Sequence, residues 1–183
     1  METWFFSDAH FYHKRAIEMC NRPFSSLEEM NEGLIKNINS LVKKNDIFYY
    51  LGDLAFAGPE VVEKLFNRLN GQWYYIIGNH DKWVSPNFMK SINKIKWWGD
   101  QKDIKINGQY ITLNHYMMNV WNKSHYGAWH LYGHSHFDVS EHSNGKTMNV
   151  CADLINYFPV NFEQVKSYME TRPSNWNMVD KKI

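Results

Sequence analysis

Apolar residues along the chain fall into alternating short runs and helical stripes. The run TWFFS (residues 3–7) is of β type and stops at Asp8. In residues 25–44, Leu27, Met30, Leu34, Ile35, Ile38, Leu41 and Val42 follow helical spacing. Ser25 with Glu28 three positions later reads as a capping-box start. DIFYYL (residues 46–51) predicts a strand that ends at Gly52-Asp53. Residues 59–71 open on Pro59 and close on Gly71, the punctuation of a helix. QWYYII (residues 72–77) predicts a strand running into Gly78-Asn79-His80-Asp81. DIKINGQYITLNHY (residues 103–116) alternates about Asn107-Gly108, a hairpin signal, and its second arm ends at His115. AWHLY (residues 128–132) is a further strand ending at Gly133-His134. A turn is expected at Ser143-Asn144-Gly145, a last helix over 161–170, and a polar, frayed tail over about 171–183.

Strands that alternate with helices predict an α/β fold. In such sheets ligands gather at the carboxyl ends of strands. Asp8, Asp53, Asn79, His115 and His134 each lie just past a predicted strand end. Loops far apart in sequence can therefore meet at one spot. Hydrophobic residues make up 44% of the 183, enough for a sizeable core, and neither a repeat nor a linker divides the chain. One domain over 1–183 is the expectation. The formal net charge of +1 provides no global basic field for a long nucleic acid. The start METWFFSDAH does not read as a signal peptide, and no run approaches the ~18 apolar residues of a membrane span. The two cysteines, Cys20 and Cys151, have no metal-type spacing, so reduced thiols and a cytoplasmic location are expected.

Candidate chemistry changes the picture most. In LYGHSH (residues 131–136), His134 and His136 are two apart, so extended backbone points both to one side. Asp8-Ala9-His10 repeats the logic. Together Asp8, His10, Asp53, Asn79, His115, His134 and His136 suffice for two mixed nitrogen and oxygen metal sites with one shared carboxylate. Imidazole suits Zn, Fe, Ni and Mn better than Mg. Two divalent cations keep a net positive charge after Asp8 and Asp53, which attracts a phosphate. Two metals ~3.5–4 Å apart can lower the pKa of a water and clamp an in-line displacement at phosphorus. Each motif alone has an ordinary reading: Gly-Asp is usually a turn, and Gly-Asn-His-Asp can be a tight turn closed by local hydrogen bonds. Their ordered recurrence after strands makes the metal reading the stronger one.

The series Asp8-x-His10, Gly52-Asp53, Gly78-Asn79-His80-Asp81, His115 and Gly133-His134-x-His136 resembles the calcineurin-like metallophosphoesterase family. The resemblance implies a β-sandwich of two mixed sheets flanked by helices, a four-layer αββα arrangement. It implies that Asp8, His10 and His136 hold one metal, that Asn79, His115 and His134 hold the other, and that Asp53 bridges them. The cofactors would be two divalent transition ions (Mn, Fe, Zn or Ni), with Mn favoured. His80 would match the family histidine beside the leaving oxygen, where an imidazolium can protonate a basic alkoxide, a contribution of ~10²–10⁴ in rate. Asp81 either orients His80 or closes the turn. The sequence departs from the protein-phosphatase branch, whose Gly-Asp motif continues into a second Asp followed by Arg-Gly. Here it reads GDLAFAG, with Phe56 at that second Asp, which weighs against a phosphoprotein substrate.

His13 and Arg22 flank the first motif and are candidates for contacting a phosphate from the rim, Arg22 through a bidentate contact. Trp121, Tyr126 and Trp129 are candidates for stacking on a nucleobase, with core packing as the alternative. The leading expectation is a metal-dependent phosphodiesterase acting on a phosphoester substrate, a nucleotide or nucleic-acid end among the options. The alternatives are a phosphomonoesterase or nucleotidase, and a non-catalytic metal-bound interaction scaffold. No membrane association and no obligate protein partner are expected. A closed structural zinc site is disfavoured, since such sites are usually rich in cysteine.

Overall fold

Nine strands assemble into two sheets, among the residues described in this computed structural model, 1–142 and 145–179. The expected turn at Ser143-Asn144 and the last four residues of the tail lie outside the described residues. The first sheet has the order β4-β3-β2-β1-β9. Its strands are β1 (Thr3–Phe6), β2 (Ile47–Tyr50), β3 (Gln72–Ile76), β4 (Ile95–Gly99) and β9 (Val160–Asn161). The first four run parallel, and β9 pairs antiparallel with β1. The second sheet has the order β5-β6-β7-β8, from β5 (Gln101–Ile106), β6 (Gln109–Asn114), β7 (Trp129–Tyr132) and β8 (Thr147–Asn149). There β5 and β6 form the expected hairpin, with Asn107 (φ 48) and Gly108 (φ 87) in the left-handed region that its tight turn needs. β6, β7 and β8 run parallel. Both sheets are thus mixed.

Strand alternation sorts the core into two layers. Trp4, Phe6, Phe48, Tyr50, Trp73 and Tyr75 face the helices. They meet Met30, Leu34 and Ile38 of α2 (Leu27–Leu41) and Val62, Leu65 and Phe66 of α3 (Pro59–Arg68). Phe5, Tyr49, Leu51 and Ile76 face the other way, against Ile111, Leu113, Trp129 and Leu131 of the second sheet. Phe162, Val165 and Met169 of α5 (Phe162–Thr171) join that inter-sheet layer. These rings and aliphatic chains are almost fully buried, and burial of a large side chain is worth roughly 1.5–3 kcal/mol.

Three local expectations differ from the structure. The α2 cap is Ser26, whose hydroxyl accepts from Glu29 N–H at 3.1 Å, while the Glu29 carboxylate accepts from Ser25 N–H at 2.7 Å. The cap sits one residue later than expected, since Ser25-Ser26 offers two registers, and the Glu29 carboxylate reaches Ser25 rather than the N-cap amide, so the reciprocal box does not form. The chain after α5 is packed rather than frayed through residue 179. Asn175 is buried, its amide donating to the carbonyls of Ser124 and Ala128 at 2.7 and 2.9 Å. Elements without a sequence signal also appear: α1 (Lys14–Met19), α4 (Pro86–Ser91), β4, β8 and β9. α1 and α4 span six residues and bury one side chain each, too little for a stripe. No described helix is long and apolar enough to cross a membrane.

Candidate metal centre

The carboxyl ends of β1, β2, β3, β6 and β7 lie side by side, and each delivers part of one cluster. Asp8 N–H donates to Gly52 O at 3.0 Å and His10 N–H to Asp53 O at 3.2 Å, so the loops after β1 and β2 leave the sheet together. Asp8 (φ 56), His10 (φ 50), Asp53 (φ 57) and His134 (φ 68) all take left-handed backbone, which costs roughly 1–2 kcal/mol for a residue bearing a Cβ. Strain of this kind gathers at sites where the surrounding structure over-determines it. Glycine precedes Asp53, Asn79 and His134 for a steric reason. A Cβ on Gly78 would strike the Asp53 carboxylate and amide, and one on Gly133 would strike the Asp8 carboxylate.

Two groups of ligand atoms result. Those of Asp8, His10 and His136 lie within 4.8 Å of one another, as do those of Asp53, His115 and His134. Asp53 stands between the groups: its Oδ2 is 3.7 Å from His10 Nε2 and 3.4 Å from His115 Nε2. The Asn79 amide oxygen is 3.0 Å from His115 Nε2, on the side of the second group. All seven residues singled out from the sequence are thus brought together.

The donor set fits divalent cations. His10 is 4% exposed, yet neither of its ring nitrogens has a hydrogen-bond partner among the described residues. Burial pulls its pKa down to about 3, so the ring is neutral and keeps a lone pair for a metal. His115 donates Nδ1–H to the Leu51 carbonyl at 2.7 Å, which aims Nε2 at Asp53. Burial opposes its charge, but the hydrogen bond to Asp53 and the charges of Asp8 and Asp53 outweigh it, taking the pKa up to about 9. Asp8 is fully buried and accepts from His134 N–H at 3.0 Å; burial pushes its carboxyl up. Buried carboxylates crowded against imidazoles are a setting in which a cation can supply positive charge.

Three further expectations can be placed. Asp81 accepts from the N–H groups of Gly78, Asp53 and Leu54 at 2.8, 3.0 and 3.0 Å. It therefore closes the turn and ties it to the Asp53 loop, and its recorded hydrogen bonds do not go to the His80 ring. Burial holds its pKa up at about 6 against the bond from Gly78. His80 N–H donates to Asp53 Oδ1 at 2.8 Å, and its ring is exposed beside His10, 5.5 Å between centroids. His13 lies at the rim, in a cleft of about 240 Å³ whose floor is the histidines and Asp53 and whose wall is Ala16 and Met19 of α1, continued by Cys20.

Arg22 is a correction. It is not at the rim but beneath the site, with a fully buried side chain. Its guanidinium donates to both Asp153 oxygens at 2.9 and 2.8 Å and to the carbonyls of Ala9 and Asp8 at 2.6 and 2.8 Å. It braces the Asp8-Ala9-His10 loop and leaves no group for a phosphate. Trp121 and Trp129 are also buried and unavailable for stacking; Trp121 Nε1–H donates to the Ala128 carbonyl at 3.0 Å. Tyr126 is exposed and packs on His125. Asp153 is the residue that sequence reasoning missed. Its Oδ2 is 2.7 Å from His136 Nδ1, an orienting bond that turns Nε2 toward Asp8. It follows TMNV (residues 147–150), a run too short to mark a strand by itself, so the strand-then-acid pattern of Asp8 was not legible there.

Residues 1–174 match the family model of the calcineurin-like phosphoesterases. An uncharacterized protein of Methanocaldococcus jannaschii is 34% identical over 177 residues, covering 92% of each chain. The gene 66 protein of Mycobacterium phage L5 is 34% identical over 82 residues, 43% of this chain and 39% of that one. A protein of unknown function from Aquifex aeolicus has a similar fold, with a TM-score of 0.72 and 19% identity over 91% of this chain and 98% of that chain.

Proposed function

Because this chain belongs to the calcineurin-like phosphoesterase family, a family of phosphoric ester hydrolases, we propose that it hydrolyses phosphodiesters at a dinuclear metal centre. The observation that carries this reading is the pair of ligand groups sharing the space around Asp53, with His80 exposed beside them. Asp8, His10 and His136 would hold one cation, and Asn79, His115 and His134 the other, with Asp53 common to both. The all-nitrogen-and-oxygen set suits Mn, Fe, Zn or Ni, Mn being favoured. When bound, the cations lower the pKa of a water and stabilise the negative charge of the phosphoryl group. Leu51 and Asp153 fix the rings of His115 and His136 in the tautomers that such ligation needs. His80 would give a proton to the departing oxygen. Among the described residues, the cleft lining includes neither Lys nor Arg, which favours a diester monoanion over a monoester dianion.

Turnover of bis(nitrophenyl) phosphate against nitrophenyl phosphate by the Mn-loaded protein tests the reading. Faster monoester hydrolysis would replace it with a monoesterase, and no turnover of either with metal bound would leave an interaction scaffold. His80→Ala is expected to keep its metal and to lose activity according to the leaving group. The loss should be small for nitrophenolate, which departs without a proton. It should approach ~10²–10⁴ in kcat/KM for an alkyl or nucleoside leaving group. Equal losses on both would reduce His80 to a positioning or electrostatic group.

Asp153→Asn is expected to weaken metal affinity by ~10–100-fold, the usual cost of losing an orienting carboxylate behind a ligand histidine. Competition with a chelating dye measures it, and unchanged affinity would remove Asp153 from the centre.

A further inference from the structure

Two aromatic rings at the rim are used neither by the core nor by the metal ligands. Phe56 is 41% exposed. One face lies flat on His13, with centroids 3.9 Å apart and planes within 9°, and the ring is 4.8 Å from His80. Tyr116 is 47% exposed, and its ring meets His134 at 4.8 Å and His115 at 5.0 Å. Phe56 thus borders the His10 and His80 side of the centre, and Tyr116 the His115 and His134 side. Scattered exposed rings need no explanation. These two differ in that both touch the histidines of one site from its two sides.

Their backbones are held. Phe56 N–H donates to Phe11 O at 2.8 Å, and Tyr116 N–H to Asn114 Oδ1 at 2.8 Å. A ring on anchored backbone loses little freedom when a planar group stacks on it. The cleft lining, with neither Lys nor Arg among the described residues, has no fixed cation with which to grip a substituent of the phosphate. Stacking on these two rings is an interaction open to such a substituent, and it is tolerant of base identity because every base has a π-face.

We propose that Phe56 and Tyr116 are stacking platforms on either side of the metal centre, and that the substrate is a phosphodiester carrying nucleobases rather than a simple alkyl diester. The inference rests on the phosphodiesterase reading for the bond that is cut, but not for the binding it describes.

Two measurements on the Mn-loaded protein separate the two ideas. Calorimetric titration compares thymidine monophosphate methyl ester with dimethyl phosphate. Turnover compares thymidine monophosphate nitrophenyl ester with methyl nitrophenyl phosphate, which share a leaving group. The wild type should prefer the thymidine ester in both. Phe56→Ala or Tyr116→Ala should cut that preference by ~5–150-fold, mainly through Kd and KM, while Phe56→Trp and Tyr116→Phe retain it. Elemental analysis checks that each variant keeps its metal. A wild type that binds both esters equally, or alanine variants whose preference is unchanged, would overturn the inference even if both diesters are hydrolysed. A binding preference without turnover of either diester would sustain the stacking platforms and overturn the phosphodiesterase reading, and with it the substrate assignment.

Discussion

Replacing Asp53 with Asn is expected to abolish turnover and to leave the protein unable to hold either cation at normal affinity. Asp53 is buried, and its Oδ2 faces His10 Nε2 and His115 Nε2 from between the two ligand groups. Its other oxygen accepts from His80 N–H at 2.8 Å. Asn preserves an oxygen for that backbone bond, so the loop should persist. It removes the negative charge and an oxygen that, in the proposed dinuclear centre, both metals would share. The loss in kcat/KM should exceed the ~10²–10⁴ of a missing general acid, because a general acid works only in an assembled centre. Elemental analysis after Mn reconstitution, beside kcat/KM for a nitrophenyl diester, measures both halves of the expectation. Near-normal turnover with a full metal complement would take Asp53 out of the bridging position.

Arg22→Ala is expected to be the most destabilising single change near the site. It takes the guanidinium from the Asp153 carboxylate, whose side chain is 5% exposed and which keeps the bonds from His136 and Tyr157, and it strands the carbonyls of Asp8 and Ala9. Removing one partner of a buried ion pair typically costs ~3–5 kcal/mol, because the other charge stays in place without compensation. In a domain of this size each kcal/mol moves Tm by ~2–4 °C, so a fall of ~6–20 °C is expected in a thermal melt. Arg22→Lys should not restore it, since a point ammonium cannot span the carboxylate and two carbonyls that the planar fork reaches together. Arg22→Met combined with Asp153→Leu should recover part of the stability by removing both charges, while metal affinity stays low because His136 has lost its orienting partner. A Tm for Arg22→Ala within a degree or two of wild type would show that the contacts, though well formed, carry little of the fold.

The sequence by itself determined what is local. Periodicity and punctuation marked β1, β2, β3, the β5–β6 hairpin and β7, and the helices α2, α3 and α5, since each turns on side-chain spacing or on a turn residue within a few positions. The ordered polar residues after those strands marked the centre, because parallel strands that share a sheet present their carboxyl ends to one region. Tertiary structure decided what depends on partners far away in the chain. Arg22 and Asp153 are 131 positions apart, and no local pattern reveals that a loop arginine will be swallowed by a carboxylate beyond β8. The same holds for the aromatics. Trp121 and Trp129 look as free to stack as Phe56 and Tyr116, yet the packing of the second sheet buries the first pair and leaves the second at the rim. Burial is a property of the assembled surface, so a residue's type shows what it can do, and only its neighbours in space determine whether it remains available to do it.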